Sequence, residues 1–358
     1  MSVFLVIPTL KQGGAERVIS ELANQFVESN VEVHLILLAK AEDFYSVSPN
    51  ITIHRLGFEN KGKIQKIFSE LQAFIKLRRL FKDYKPDAVL SFMDKYNIFT
   101  ILASRFLNLR VFVSDRSNPK LKLRPSLYLL KKLTYRHATG VIAQTSLAKE
   151  IISKFTGNKN VVVIQNPVKN VQLYPEIKRE RIILNVGRLV PEKGQQYLLQ
   201  AFANLASNNW KLVILGDGPL RDDLEKQAAD LFISDNVMMP GAVHNVDEWL
   251  AKASIFTFSS ISEGFPNALV EAMAASLPCV SFDCDAGPRD IIENHIDGIL
   301  VENRNIDEFK EELNTLMFDK LLREELGSNA TCIREKLSIE KIADDYLRLL
   351  IGKDKLVS

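Results

Sequence analysis

Cysteine is scarce in this chain: three in 358 residues, Cys279, Cys284 and Cys332. An odd number without metal-ligand spacing excludes a disulfide-stapled framework, offers no zinc site and points to a reducing compartment. Long apolar runs are missing as well. No window approaches the roughly 18 apolar residues that a membrane-spanning helix needs. The opening MSVFLVIPTL lacks a basic stretch and is broken by Pro8, so neither a signal peptide nor a membrane span is expected. There is no low-complexity tract and no repeat at solenoid period. With 46% apolar and 25% charged residues, the chain is neither disordered nor fibrous. At about 100–200 residues per domain, its length predicts two domains.

Charge is unevenly spread. The net charge of +2 hides a basic first part, residues 1–166, with 25 Lys and Arg against 13 Asp and Glu. Residues 167–358 are acidic, with 21 against 31. A basic half suggests an anionic partner, membrane or nucleic acid.

Apolar runs alternate with helical stretches almost throughout. Strands are expected at Val3–Ile7, Val31–Leu38, Ile51–Leu56, Ala88–Phe92, Arg110–Ser114, Gly140–Ala143 and Val161–Ile164. Val18, Ile19, Leu22, Ala23 and Phe26 form one helix face. The rhythm restarts after the polar segment 167–180, read as a linker. Further strands are expected at Ile182–Val186, Lys211–Leu215, Ile255–Ser259, Cys279–Phe282 and Ile299–Val301, with a final helix over Ile339–Ile351. Val-, Ile- and Leu-rich runs between helices indicate parallel sheets covered on both faces. The expected fold class is α/β, with two Rossmann-like doubly wound domains facing across a cleft at the carboxyl ends of their strands. The expected boundaries are 1–167, with a helix at about 339–358 crossing back, and 168–338.

Four strings carry chemistry. Gly13-Gly14-Ala15-Glu16 follows a strand and opens a helix, so its glycines let backbone N–H groups approach an anion. In Gly187-Arg188-Leu189-Val190-Pro191-Glu192-Lys193-Gly194, Arg188 and Lys193 suit a diphosphate, one as a fork and one as a point charge. Gly216-Asp217-Gly218 is not a dinucleotide fingerprint, because Pro219 and Arg221 interrupt it; a tight turn is expected. Ser262-Glu263-Gly264-Phe265-Pro266-Asn267-Ala268-Leu269-Val270-Glu271-Ala272 sets two glutamates eight apart. Pro266 suits the first turn of a helix, which would leave the N–H groups of Asn267 and Ala268 free. Glu263 would then lie on the loop and Glu271 about one turn inside the helix.

These strings, with AGPRDII at 286–292, resemble glycosyltransferase family 4, retaining enzymes of the GT-B fold. The likeness spans nearly the whole chain, and the Glu263-x7-Glu271 arrangement is its most specific part. It fits best the members that assemble bacterial surface glycans and lipid-linked oligosaccharides. The resemblance implies that Gly13, Gly14, Arg188 and Lys193 serve the donor diphosphate. It implies that Gly216 lines the site, and that Val243 lies where family members hold the base through backbone. It assigns Glu263 to donor sugar hydroxyls, Phe265, Pro266, Asn267 and Ala268 to the sugar and phosphates, and Glu271 to the ribose. The implied reaction moves a sugar from a UDP-hexose or UDP-N-acetylhexosamine to a hydroxyl of a glycan acceptor, polyprenol-linked, with configuration retained. A nucleotide-sugar epimerase and a non-catalytic nucleotide-sugar-binding subunit are the alternatives. The intact Glu263–Glu271 string argues against the second.

Where many members carry a histidine, Ser114-Asp115-Arg116-Ser117 offers arginine, which cannot act as a base near neutral pH. Asp94, Asp115 and Arg116 are the acceptor-side candidates. Asp283-Cys284-Asp285 has the spacing of a metal motif but reads as a strand-end turn, so no metal or other cofactor is expected. Basic residues mix with apolar ones in 116–136, where Arg116, Lys120, Lys122, Arg124, Lys131, Lys132 and Arg136 lie among leucines. They mix again in 61–85, where Lys61, Lys63, Lys66, Lys76, Arg78, Arg79, Lys82 and Lys85 accompany Phe68, Phe74 and Phe81. Such stretches predict an anionic membrane partner and a cytoplasmic, peripheral location at the inner face of the plasma membrane. No recognised nucleic-acid motif accompanies the charge.

Overall fold

The computed structural model describes every residue except 59–62, 121–122, 204, 206–208 and 353–358, and the side chains of 58, 63, 64 and 66 also lie outside the description. Lys61, Leu121, Lys122 and the Lys63 and Lys66 side chains therefore fall outside it. The chain divides into two compact units, Met1–Pro167 with Ile339–Ser358, and Val168–Ser338.

The first unit begins β1 (Ser2–Ile7), α1 (Gly14–Glu28), β2 (Glu32–Ala39), β3 (Thr52–Phe58), α2 (Lys63–Tyr84), β4 (Ala88–Phe92) and α3 (Asp94–Ser104). It continues with β5 (Val111–Ser114), α4 (Pro125–Tyr135), β6 (Gly140–Ala143), α5 (Ser146–Thr156) and β7 (Val161–Val163). Its parallel sheet runs β3-β2-β1-β4-β5-β6-β7. The order reverses between β1 and β4, and that is the place where doubly wound sheets bind ligands beyond their strand ends. Phe4, Val6, Ile36, Leu77, Phe81, Val89 and Val113 fill one side of this sheet. The apolar face expected of α1 is buried throughout.

The second unit comprises β8 (Ile182–Val186), a 3-10 turn at Pro191–Lys193, α6 (Gln195–Ala203), β9 (Lys211–Leu215), α7 (Arg221–Asp230), β10 (Val237–Gly241) and α8 (Val246–Lys252). There follow β11 (Ile255–Phe258), α9 (Asn267–Ala274), β12 (Cys279–Asp283), α10 (Pro288–Ile291) and β13 (Ile299–Glu302). The helices α11 (Ile306–Phe318), α12 (Lys320–Ala330) and α13 (Ile333–Lys336) close this unit. The sheet order is β10-β9-β8-β11-β12-β13, again parallel, with the reversal between β8 and β11. Strand β10 is the one that sequence patterning misses. Its residues alternate between half-buried and exposed, and it contains Pro240. An edge strand tolerates proline because one row of its N–H groups has no sheet partner.

The last helix, α14 (Ile339–Ile351), belongs to the first unit. Ile342, Ala343, Tyr346, Leu347, Leu350 and Ile351 are buried, a 3–4 spacing that puts all six on one face. That face lies against α1 and β4. Among the described residues, no helix is long and apolar enough to cross a membrane.

Candidate functional site

In the second unit the chemistry-bearing strings emerge from the strands at the reversal point. The chain leaves β8 through Gly187 and Arg188. Gly216, which follows β9, has φ +134°, and a Cβ there would lie 2.0 Å from the Gly187 carbonyl oxygen. The Leu189 N–H donates to the Asp217 carbonyl at 2.9 Å, and the Leu220 N–H to the Leu189 carbonyl at 3.1 Å. The Gly-Asp-Gly turn is thus a packing device that holds the arginine loop in place. Gly194 does the same on the other side. At φ +64°, its Cβ position would lie 2.1 Å from the Ser259 carbonyl oxygen, just past β11. The Ser259 hydroxyl donates to the Lys193 carbonyl at 2.9 Å.

This clamping places the Lys193 ammonium 2.5 Å from Glu263 Oε1, with side chains 21% and 10% exposed. Glu263 lies on the loop after β11, and Ser262 pairs with Asp285 in a short parallel bridge. Phe265 and Pro266 are buried. A Cβ on Gly287 would lie 2.6 Å from Pro266 Cδ, so this position suits glycine alone. Pro266 precedes α9 with φ −87° and ψ 65°, an inverse γ-turn. The turn sends the Asn267 N–H to the Phe265 carbonyl at 3.0 Å. The expected free donor at Asn267 is therefore engaged, and among the described residues the open donors of this helix start at Ala268. Glu271 sits half-buried in the second turn of α9, and Val243 is half-buried just past β10. Arg188 is exposed, with no ion pair among the described residues. Asp283 forms a two-pronged ion pair with Arg289. No cluster of three His, Cys, Asp or Glu fit for a metal occurs among the described residues. Burial pushes the Cys284 thiol well up, so it is no nucleophile.

In the first unit, Gly13 is extended and Gly14 begins α1. The Glu16 carboxylate folds over Gly13, and burial raises its pKa. Asp94 starts α3, directly past β4, and Asp115 directly follows β5. Both are buried, and both bind the ammonium of Lys131 on α4: Asp94 Oδ1 at 2.9 Å, with Asp115 as the second partner. The Tyr135 hydroxyl donates to Asp94 Oδ1 at 3.1 Å. Burial pushes the Asp115 carboxyl up to about 7; the Asp94 charge adds to this, while Lys131 opposes it. Burial acts on Asp94 in the same sense, but the charge and hydrogen bond of Lys131 outweigh it and hold that carboxyl low.

Arg116 turns elsewhere. Its guanidinium lies 3.8 Å from the Phe92 ring centre, and its Nη groups donate to Asn166 Oδ1 at 2.6 Å and the Tyr346 hydroxyl at 2.9 Å.

Lys131 corrects the sequence reading twice. It was counted among the surface cations, yet it is buried between two carboxylates. Its role as their partner was also missed. A signal existed: Leu127, Lys131, Thr134 and Tyr135 stand at helical spacing, and they form the inward face of α4. The leucines beside Lys131 in this basic stretch, Leu129, Leu130 and Leu133, are exposed. On α2, Phe81 is in the core and Phe74 packs on Phe99 with ring centres 5.5 Å apart, whereas Phe68 is exposed.

Comparison with known proteins agrees with the two-unit architecture. Residues 12–170 match the family model Glycosyltransferase Family 4, and residues 170–332 match Glycosyl transferases group 1. The chain is 30% identical, over 98% of both sequences, to GalNAc-alpha-(1->4)-GalNAc-alpha-(1->3)-diNAcBac-PP-undecaprenol alpha-1,4-N-acetyl-D-galactosaminyltransferase of Campylobacter jejuni. It is 28% identical to a second Campylobacter jejuni enzyme, N-acetylgalactosamine-N,N'-diacetylbacillosaminyl-diphospho-undecaprenol 4-alpha-N-acetylgalactosaminyltransferase, over 97% of this chain and 99% of that one. Among solved structures, Anabaena Alr3699/HepE in complex with UDP superposes with a TM-score of 0.82 at 18% identity, covering 99% of this chain and 100% of the other. The GT-B class expected from the sequence is the class of these neighbours. With both units matched and a relative aligned from end to end, the chain belongs to glycosyltransferase family 4.

Proposed function

We propose that this glycosyltransferase moves a sugar from a UDP-activated donor to a hydroxyl of a lipid-linked glycan, retaining the anomeric configuration and using no metal. The observation that carries the reading is the Lys193–Glu263 pair at the β8/β11 reversal, a cation and a carboxylate preset side by side. A diphosphate entering this loop cluster competes for Lys193, and Glu263 then becomes available to donor sugar hydroxyls. Arg188 and the open N–H at Ala268 add positive potential where charge develops on the leaving diphosphate. Glu271 takes the ribose hydroxyls, and backbone at Val243 takes the base. The sugar–phosphate bond breaks, the acceptor oxygen bonds the anomeric carbon from the same face, and the acceptor proton passes to the departing phosphate. In the first unit, Gly13 and Gly14 present backbone N–H groups to an anion once the Glu16 carboxylate that lies over Gly13 swings aside, and the loops after β4 and β5 receive the acceptor. UDP in solved neighbours supports the donor class, and the undecaprenol-linked substrates in the relatives' names support the acceptor class.

Product analysis tests the reading. Nucleotide diphosphate should be released only when acceptor is present, with an α-linked product from an α-linked donor. An isomerised sugar nucleotide would mean an epimerase, and neither product would mean a binding subunit.

The same proposal places the chain against the cytoplasmic face of an anionic membrane. Exposed Tyr128, Leu129, Leu130 and Leu133 on α4 lie beside exposed Arg124, Lys132 and Arg136. Ile67, Phe68, Leu71 and Ile75 form a second exposed apolar stripe on α2. A basic residue near such a surface contributes about 1 kcal/mol. Co-sedimentation with liposomes should need anionic lipid, and should weaken in salt and in a variant with Arg124, Lys132 and Arg136 changed to Gln. Equal sedimentation of native and variant chains rejects the membrane placement.

A further inference from the structure

The first unit contains a charge arrangement that donor chemistry leaves unused. Asp94 and Asp115 sit past the ends of two neighbouring strands, β4 and β5, which pair residue for residue from Val89↔Val111 to Phe92↔Ser114. One ammonium, Lys131, binds both. Two buried carboxylates against one cation leave an excess negative charge, which is costly away from water. Met93, immediately before Asp94, takes φ +75°, a conformation that persists only where its surroundings enforce it. Lys131 thus ties the loop after β5 to the start of α3 just past β4.

We propose that Lys131 is a positioning residue for the acceptor: by clamping Asp94 to Asp115 it fixes the two strand-end loops that receive it, and the clamped carboxylates share one proton. This rests on the reading that these loops are the acceptor side. The titratable groups of the cluster are Lys131 and Tyr135 from α4, Asp94 from α3 and Asp115 after β5. Arg116, next in the chain, is turned to Asn166 and Tyr346. The Asp115 carboxyl, raised by burial and by the Asp94 charge to about 7, is the group that keeps the proton. Below neutrality the cluster is balanced. Above it, both carboxylates are charged and the clamp carries a net negative charge, so acceptor use should change across neutral pH.

The experiment compares the native chain with Lys131→Met, Lys131→Arg and Asp115→Asn, reading acceptor KM, kcat and UDP affinity separately. Lys131→Met should lower kcat/KM for acceptor by about 100-fold, the cost of an ångström-scale misplacement, and leave UDP affinity unchanged. Lys131→Arg should restore most of the loss. Asp115→Asn, which leaves a balanced Lys131–Asp94 pair, should fold normally and flatten the pH dependence of acceptor use around neutrality. It therefore decides the matter even where Lys131→Met fails to fold. Parallel losses in acceptor and UDP parameters, or an unchanged pH profile in Asp115→Asn, overturn the proposal. A native chain that releases no nucleotide diphosphate with any UDP-sugar and undecaprenol-linked acceptor refutes the proposed function instead. The shared proton is then judged alone by infrared spectroscopy. A protonated-carboxyl band present below neutral pH in the native chain and missing in Asp115→Asn upholds it, and the same band in both rejects it.

Discussion

Replacing Lys193 with Met, Glu263 with Gln, and both together closes a double-mutant cycle on the ion pair at the centre of the proposed donor site. The pair spans 2.5 Å, with the carboxylate only 10% exposed. Exposed pairs are worth about 0–1 kcal/mol because water screens them. A hydrogen bond to a charged group inside the protein contributes about 1.5–3 kcal/mol. Low exposure and the rigid seat of Lys193, clamped by Gly194 and Ser259, favour the second range. The coupling energy from urea unfolding should therefore be about 1.5–3 kcal/mol. The same cycle read on UDP affinity should look different. Lys193→Met should weaken UDP by roughly tenfold or more, the loss of one charged contact, whereas Glu263→Gln should not weaken it, because the amide no longer competes with phosphate for the ammonium. Turnover should fall in both. A stability coupling below about 0.5 kcal/mol, or equal weakening of UDP by both changes, would refute the partner exchange.

Gly194→Ala should destabilise the chain by at least about 1–2 kcal/mol from the left-handed backbone alone, and by more from the 2.1 Å approach to Ser259; a lowered urea midpoint checks this. The His54 pKa is lowered from 6.5, by burial first and then by the charge of His34, whose Nδ1 lies 2.9 Å from His54 Nε2. The folded chain thus binds fewer protons there than the unfolded chain, so stability should be lost as pH falls below 6.5 and towards the lower folded value; urea midpoints should drop less on acidification in His54→Asn. Activity should survive a chelator, and Asp283→Ala with Asp285→Ala should leave UDP affinity, measured by titration calorimetry, largely intact.

Parallel strands buried on both faces announce themselves as apolar runs, and for that reason Ala88–Phe92, Gly140–Ala143, Ile182–Val186 and Lys211–Leu215 were legible to the residue. Strand β10 was not, because an edge strand with one open side has no apolar run to show and can hold a proline. The site strings were legible as loops at strand ends, because glycine and proline mark the turns that bring backbones within contact. Which side chains meet was not legible. Lys193 and Glu263 are 70 residues apart, and nothing local signals that they pair. The buried cluster around Lys131 stayed hidden for a related reason. A lysine inside a leucine-rich helix reads as surface, and only its buried acidic partners on two other elements make the interior position tolerable.

The return of α14 to the first unit has a consequence for how the protein is made. Residues 1–167 leave the ribosome first but lack the helix whose six apolar residues cover α1 and β4. At about 5–20 residues per second, the stretch from Pro167 to Ile351 takes roughly 10–40 s to synthesise. Through that interval the nascent first unit displays the strip of α1 and β4 that α14 later covers, while Val168–Ser338, one uninterrupted stretch, can complete itself earlier. The unit that starts first therefore finishes last, and in the meantime the newborn chain exposes apolar surface of the kind that makes incomplete chains prone to aggregate.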